Sequence, residues 1–282
     1  MTKNTLVDAE TLAQKLNDAG WVVFDCRFSL QSPDEGRRKY HKGHIPGARY
    51  ADLDRDLAGP KQPHSGRHPL PDIDEFITWL KKNEVNTDSQ VVVYDDMGGV
   101  VAVRLWWMLR LLGHHAVAVL DGGWTAWTDG GHPVTTDQPP SRAGNFNGSS
   151  RQEMWVSTEF VEQMAADTPS VLIDARAAPR FHGEHESIDP VAGHVPRALN
   201  YPCNRNLDDK GFFLSPGQLR KNVHQFFKGR DAGNVVNMCG SGVTACHNIL
   251  AMEIAGWPGT RLYVGSWSEW ITDPRRAVET TK

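Results

Sequence analysis

A cysteine followed by glycine, serine and glycine, Cys239-Gly240-Ser241-Gly242, stands where a short β-branched run, Val235-Val236, gives way to apolar residues at Val243, Ile249, Leu250, Met252 and Ile254. The run has the character of a strand and the later spacing that of a helix, so the four residues form a tight loop between them. Glycine at two of the positions permits positive φ, and successive N–H groups can then turn inward as a nest for an anion. A thiol at the mouth of such a nest, just before a helix N-terminus, feels the positive end of the helix dipole. Thiolate is then favoured over thiol, which gives a nucleophile usable near neutral pH. A free cysteine is more often a small buried hydrophobe. Cys246, seven residues on and expected two turns along the helix, is read in that way, whereas the strand-end glycine loop marks Cys239 as the reactive thiol.

The elements that must hold this loop come from a chain of ordinary globular composition. Its 282 residues, 39% hydrophobic and 23% charged, suffice for about two domains. A net charge of −4 argues against nucleic acid or an anionic membrane as partner. Residues 1–5 carry no apolar signal segment, and the most apolar stretch, 100–112, is interrupted by Arg104 and Arg110 and is too short to span a bilayer. The four cysteines, at 26, 203, 239 and 246, form no C-x-x-C pair, so neither a zinc site nor a disulfide framework is signalled. No metal or cofactor is expected, and reduced thiols in a cytoplasmic protein are the simplest reading.

Self-comparison says more than composition. Val22-Val23-Phe24-Asp25-Cys26-Arg27 returns as Val171-Leu172-Ile173-Asp174-Ala175-Arg176, and Gly43-His44-Ile45-Pro46 returns as Gly193-His194-Val195-Pro196. Val91-Val92-Val93-Tyr94-Asp95 matches Val235-Val236-Asn237-Met238-Cys239, and Gly122-Gly123-Trp124-Thr125-Ala126-Trp127 matches Gly265-Ser266-Trp267-Ser268-Glu269-Trp270. Four matches in one order describe a duplicated domain, not a short-period repeat. Short β-branched strands alternate with amphipathic helices in each copy, so the fold class is α/β, each domain a mainly parallel sheet flanked by helices.

Several helix starts are marked. Asp72-Ile73-Asp74-Glu75 and Ser215-Pro216-Gly217-Gln218 read as capping boxes, Ser157 as the cap of a helix over 158–166, and Asp8 as the cap of one over 9–19. Pro139-Pro140, Gly144, Gly148 and Ser149-Ser150 place an extended linker at 135–150, between domains at 1–134 and 151–282. Duplication supplies an internal control: what both copies keep belongs to the fold, and what one keeps is a candidate for chemistry. His44, His194, Trp127 and Trp270 are structural by that test. Cys239 is not, since the first copy has Asp95 there, so the second domain is expected to react and the first to support it.

The loop Cys239-Gly240-Ser241-Gly242-Val243-Thr244-Ala245, the two Gly-His-(Ile/Val)-Pro turns, Arg104-Leu105-Trp106-Trp107-Met108 and Gly265-Ser266-Trp267-Ser268-Glu269-Trp270 together resemble the tandem-domain sulfurtransferases, the family of rhodanese and 3-mercaptopyruvate sulfurtransferase. The resemblance covers nearly the whole chain. It implies two rhodanese-like domains, the C-terminal one catalytic, and a sulfane sulfur carried as a Cys239 persulfide from a small-molecule donor to cyanide, a small thiol or a thioredoxin-like acceptor. Thiosulfate-preferring members look like Cys-Arg-Lys-Gly-Val-Thr-Ala in the loop, whereas Gly240 and Ser241 fill the two cationic places here, as in mercaptopyruvate enzymes. A dianion gains more from flanking cations than a monocarboxylate does.

The resemblance also implies an Asp-His-Ser relay of Asp54, His68 and Ser241, donor contacts from the loop residues Gly240, Gly242, Val243 and Thr244, and a donor-holding guanidinium at Arg180, after Asp174-Ala175-Arg176. Arg176, matched by Arg27, is read as structural. Two departures from the family pattern stand out: the Asp54-to-His68 spacing is long, and a second arginine expected nine residues after Arg180 is Asp189. The readings that compete with mercaptopyruvate transfer are thiosulfate:cyanide transfer as the main activity and a non-enzymatic sulfur-carrier or regulatory module. A phosphatase needs arginine six residues after its cysteine, and Ala245 is there instead.

Overall fold

The computed structural model describes residues 2–140, 142–164 and 169–281. The chain divides into two compact units. The first gathers residues 1–59, 70–151 and 209–213; the second gathers 60–69, 152–208 and 214–282. The decapeptide at 60–69, N-terminal in sequence, therefore belongs to the unit that carries Cys239.

In the first unit the order is β1 (Leu6–Val7), α1 (Ala9–Ala13), β2 (Trp21–Asp25), α2 (Glu35–Lys42), β3 (Arg49–Tyr50), α3 (Ile73–Lys82), β4 (Gln90–Tyr94), α4 (Ala102–Leu111), β5 (Val117–Leu120) and α5 (Gly123–Asp129). The second unit runs β6 (Trp155–Val156), α6 (Thr158–Glu162), β7 (Val171–Asp174), α7 (Ala178–His182), β8 (Leu199–Asn200), α8 (Pro216–Phe227), β9 (Val235–Met238), α9 (Ala245–Ile254), β10 (Arg261–Tyr263) and α10 (Ser266–Trp270). Among the described residues each unit has a five-stranded sheet, ordered β1-β5-β4-β2-β3 and β6-β10-β9-β7-β8, and every pairing between these strands is parallel. The two orders are the same once each strand is matched to its repeat. Parallel strands with helices between them are buried on both faces, which is why β4 and β9 read as unbroken buried runs and not as alternating ones.

Both copies use their shared residues in the same way. Arg27 and Arg176 each grip the aspartate two residues before them through Nε and Nη2, and each donates to a glycine carbonyl, Gly43 O and Gly193 O. His44 and His194 each set Nδ1 2.8 Å from a backbone carbonyl, of Tyr40 and Phe181, and each lies in an isolated antiparallel bridge, to Thr135 and Glu279. Trp127 and Trp270 are buried in the cores of their units.

Asp72 caps α3 by accepting the N–H groups of Asp74 and Glu75, and Ser215 with Gln218 forms a reciprocal capping box on α8. Two helices are shorter than their caps suggested. Asp8 does accept from Thr11 N–H, but α1 ends at Ala13, and a tighter bond from Lys15 N–H to Leu12 O begins the turns that follow, where Asn17 and Asp18 favour turn over helix. Ser157 caps α6, which closes at Glu162; residues 165 and 166 of the expected helix lie outside the described residues. The stretch expected as a linker runs extended over the first unit: Gly144 N–H donates to Lys81 O, Phe146 N–H to Val85 O, and the Phe146 ring is buried. Residue 141 of that stretch lies outside the described residues.

Candidate active site

Strand β9 is central in its sheet and ends at Met238, so the next residue, Cys239, emerges at the carboxyl end of the strands, the usual place for a site in a parallel α/β sheet. The loop 239–244 is fixed from behind by the start of α10. Cys239 N–H donates to Ser266 Oγ at 3.1 Å, Trp267 N–H donates to Cys239 O at 3.0 Å, and Ser268 N–H donates to Gly240 O at 2.8 Å. Gly242 turns the chain at φ +76°, and a Cβ there would stand 2.4 Å from the carbonyl oxygen of Val264, so glycine is required on both counts.

Cys239 is buried, with 2% of its surface exposed, so little of the thiol is open to solvent. Cys246 is fully buried, as expected, but α9 starts at Ala245, which puts it in the first turn of the helix and not two turns along; its thiol donates to Gly242 O. Cys203 is half-buried, and its thiol is pushed up to about 12 by burial, with a further contribution from the charge of nearby Cys239.

Ser241 and His68 come together. His68 Nδ1 lies 2.8 Å from Ser241 Oγ, and both side chains are buried. The decapeptide carrying His68 is tied down beside it, with Gly66 N–H donating to Glu269 Oε2 and Arg67 N–H to Ser268 Oγ. Val243 is buried and Thr244 half-buried at the entrance to α9. Asp54 lies in the first unit, where its N–H donates to the carboxylate of Asp52.

Arg180 stands on the short helix α7, where Pro179 occupies an initial helical position. A Cβ on Gly240 would be 3.8 Å from both of its terminal nitrogens, and 3.2 Å from Nη2 of a second guanidinium, that of Arg67. Asp189 joins the two: Oδ1 accepts from Arg67 Nη1 at 2.6 Å and Oδ2 from Arg180 Nη2 at 2.9 Å. Glu186 takes Arg180 Nε on both oxygens and approaches Arg176 Nη1 at 3.6 Å. Burial pushes the Glu186 carboxyl up, but the Arg180 hydrogen bond and the N–H groups of Ile188 and Asp189 outweigh it and hold the group below the usual range. In the sequence Asp189 read as a lost cation. In the structure it is a buried clamp between two cations, one of which comes from a segment more than a hundred residues upstream.

Arg67 and Ser266 were not singled out from the sequence. Arg67 carries no signal in the sequence beyond its place next to His68. Ser266 could have been found from the repeat, because its counterpart is Gly123: both have positive φ, +53° and +56°, a conformation costly for serine. A Cβ on Gly123 would meet Asp95 O at 2.3 Å, so the two copies differ in how closely this residue approaches the strand end.

The corresponding loop of the first unit is already filled. Oδ1 of Asp95 accepts the N–H groups of Met97 and Gly99 at 2.8 Å each, and Oδ2 those of Val101 and Ala102 at 2.7 and 2.9 Å. Burial still raises this carboxyl above its usual range despite the four donors. The nest at this strand end holds its own side-chain anion. Cys26 nearby is fully buried, and burial, with the charges of Asp25 and Asp95, drives its thiol far above the ordinary value.

Comparison with known proteins agrees with this duplicated architecture. The rhodanese-like domain profile matches residues 8–129 and again 157–273. The chain is 45% identical, over 282 residues and 99% of each sequence, to a probable 3-mercaptopyruvate sulfurtransferase of Pseudomonas aeruginosa. It is 33% identical to the thiosulfate sulfurtransferase of Rattus norvegicus, over 92% of this chain and 87% of that one. Among solved structures, SseA from Escherichia coli, described with the 3-mercaptopyruvate sulfotransferases, superposes with a TM-score of 0.81 at 31% identity, covering 94% of this chain and all of that one. With both copies of the domain matched and relatives this similar along its full length, the chain belongs to the rhodanese-like family, as a tandem-domain sulfurtransferase.

Proposed function

We propose that this sulfurtransferase takes sulfur from 3-mercaptopyruvate onto Cys239 and passes it, as a persulfide, to cyanide or a small or protein thiol. The observation that carries the reading is the hydrogen bond between His68 Nδ1 and Ser241 Oγ, two residues from the reactive thiol in a loop without cationic side chains. The Cys239 thiolate attacks the donor sulfur, the carbon–sulfur bond breaks, and its electron pair goes to the carbon, which then takes up the proton the donor thiol gives up. Thiolate and mercaptopyruvate become persulfide and pyruvate with atoms and charge conserved. A proton must leave sulfur and arrive at carbon, and a serine hydroxyl bonded to an imidazole is suited to move it. The loop N–H groups of Gly240, Gly242, Val243 and Thr244 contact the donor and the persulfide, and Arg180 holds the carboxylate. Asp54 completes the relay by the family resemblance. The first domain, with Asp95 in place of cysteine, is non-catalytic.

Thiosulfate is the runner-up donor, supported by the relative of that name. Its sulfite leaving group departs with the electron pair and needs no proton, so the donors respond differently to loss of the relay. Ser241→Ala, His68→Ala and Asp54→Ala should depress kcat/KM for mercaptopyruvate roughly a hundredfold, the scale of general acid–base catalysis, and that for thiosulfate far less. Incubation with donor should add one sulfur atom of mass to the wild type and none to Cys239→Ser. Equal losses with both donors, or sulfur retained by Cys239→Ser on another cysteine, would overturn this reading.

A further inference from the structure

We infer that Arg67 and Asp189 set the charge of donor this site accepts, Arg67 as a second anion-holding guanidinium and Asp189 as the carboxylate that keeps the pair selective for monoanions. The inference rests on the reading of Cys239 as the sulfur-accepting residue. Both guanidiniums face Gly240, the residue after that cysteine, with Arg67 Nη2 the nearer. Among the described residues, neither Arg67 Nη2 nor Arg180 Nη1 makes a hydrogen bond, and Arg67 Nε is buried without a partner. Those N–H groups remain for a ligand anion. Their other edges are spent on Asp189 and Glu186, whose side chains are only 2% and 3% exposed.

The charges of the four side chains cancel. A site with two cations and no counter-charge would favour a dianion such as thiosulfate. This one supplies the directional N–H groups of two guanidiniums without net positive charge, which suits a single carboxylate. The second cation of the site is thus carried on the decapeptide beside His68, so one segment delivers both a relay residue and a donor contact. Asp189 also fixes the two forks relative to each other, since each of its oxygens accepts from a different arginine.

The test measures two things on wild type, Arg67→Met, Arg67→Lys and Asp189→Asn: kcat/KM with mercaptopyruvate and thiosulfate, and equilibrium binding of pyruvate and sulfate as unreactive mono- and dianion probes. Arg67→Met should weaken pyruvate binding and mercaptopyruvate kcat/KM roughly tenfold or more, the scale of a charge-assisted contact, with Arg67→Lys recovering only part because ammonium has no fork. Asp189→Asn should raise the thiosulfate-to-mercaptopyruvate ratio, and sulfate binding relative to pyruvate, by roughly tenfold, as one added net charge acts more strongly on a dianion. A melting temperature for each variant separates these effects from misfolding, and the ratios are insensitive to a merely structural loss. Unchanged donor ratios and unchanged anion binding in folded Arg67→Met and Asp189→Asn would overturn the inference. Absence of sulfur on wild-type Cys239, with the binding pattern as expected, would instead remove the reading of Cys239 while leaving the anion pair standing.

Discussion

Asp95→Asn replaces a carboxylate by an amide of the same shape in the filled nest of the first unit, so its effect isolates the hydrogen bonds from packing. The carboxylate accepts two N–H groups on each oxygen, from Met97 and Gly99 and from Val101 and Ala102. An amide has one acceptor oxygen; whichever way it turns, its NH2 group faces two backbone donors. Two buried N–H groups then lose their acceptor at about 1–3 kcal/mol each. Against this, removing a fully buried charge recovers part of the desolvation cost that raises this carboxyl above its usual range. The net expectation is a loss of about 2–4 kcal/mol. Urea titrations followed by tryptophan fluorescence would show the transition of the first unit moving to lower denaturant. Hydrogen exchange would locate the effect in the amides of two of the four donors. A variant as stable as the wild type, with all four amides equally protected, would refute the claim that the aspartate's charge organises this loop.

Glycine at 242 and glycine at 240 should behave oppositely. Gly242→Ala forces a side chain into φ +76° and against the Val264 carbonyl, costing about 1–2 kcal/mol from φ alone before the clash is counted, with loss of sulfur loading. Gly240→Ala meets only the movable ends of two arginine side chains and should fold with wild-type stability; equal melting temperatures for the two variants would contradict the account of the loop. Alkaline pH should unfold the protein partly through Cys203. Its folded-state thiol lies at about 12 against an ordinary 9.0, so between those values the folded chain keeps a proton that the unfolded chain releases, and stability falls as pH rises. Cys203→Ala should flatten the dependence of unfolding free energy on pH above 9.0, and slopes identical to the wild type would count against the assignment.

What the chain reveals by itself and what it withholds divide along the range of the interactions. The duplicated parallel architecture was legible because hydrophobic runs and Gly-His-Pro turns are local and occur twice. The placement of Cys239 between a strand end and a helix start was legible because strand, glycine loop and helix are consecutive in sequence. The residues that the fold brings beside that loop were less so. Residues 60–69 have no periodicity that assigns them to either half; they join the second unit through Gly66 to Glu269, Arg67 to Ser268 and His68 to Ser241, all contacts across some two hundred residues or nearly so. Family resemblance reached His68, but only the contacts reveal that its neighbour Arg67 turns toward Gly240.

Comparing the two copies finds residues that changed type, and applied strictly it would have flagged Ser266 against Gly123. Type alone could not give the sense of a change. Asp95 read as a missing thiol, yet it is an anion that four N–H groups already hold. Asp189 read as a missing cation, yet it is the link between Arg180 and a cation carried elsewhere in the chain. In both places a carboxylate stands where the family pattern led one to expect a different group, with opposite consequences. In the first unit the acid fills the place of a ligand and closes the loop to one; in the second it consumes part of two guanidiniums and leaves their remaining N–H groups aimed at the loop. The same residue type thus fills its own nest at one strand end and links two guanidiniums beside the other, because the donors around a buried carboxylate, not its identity, decide what it does.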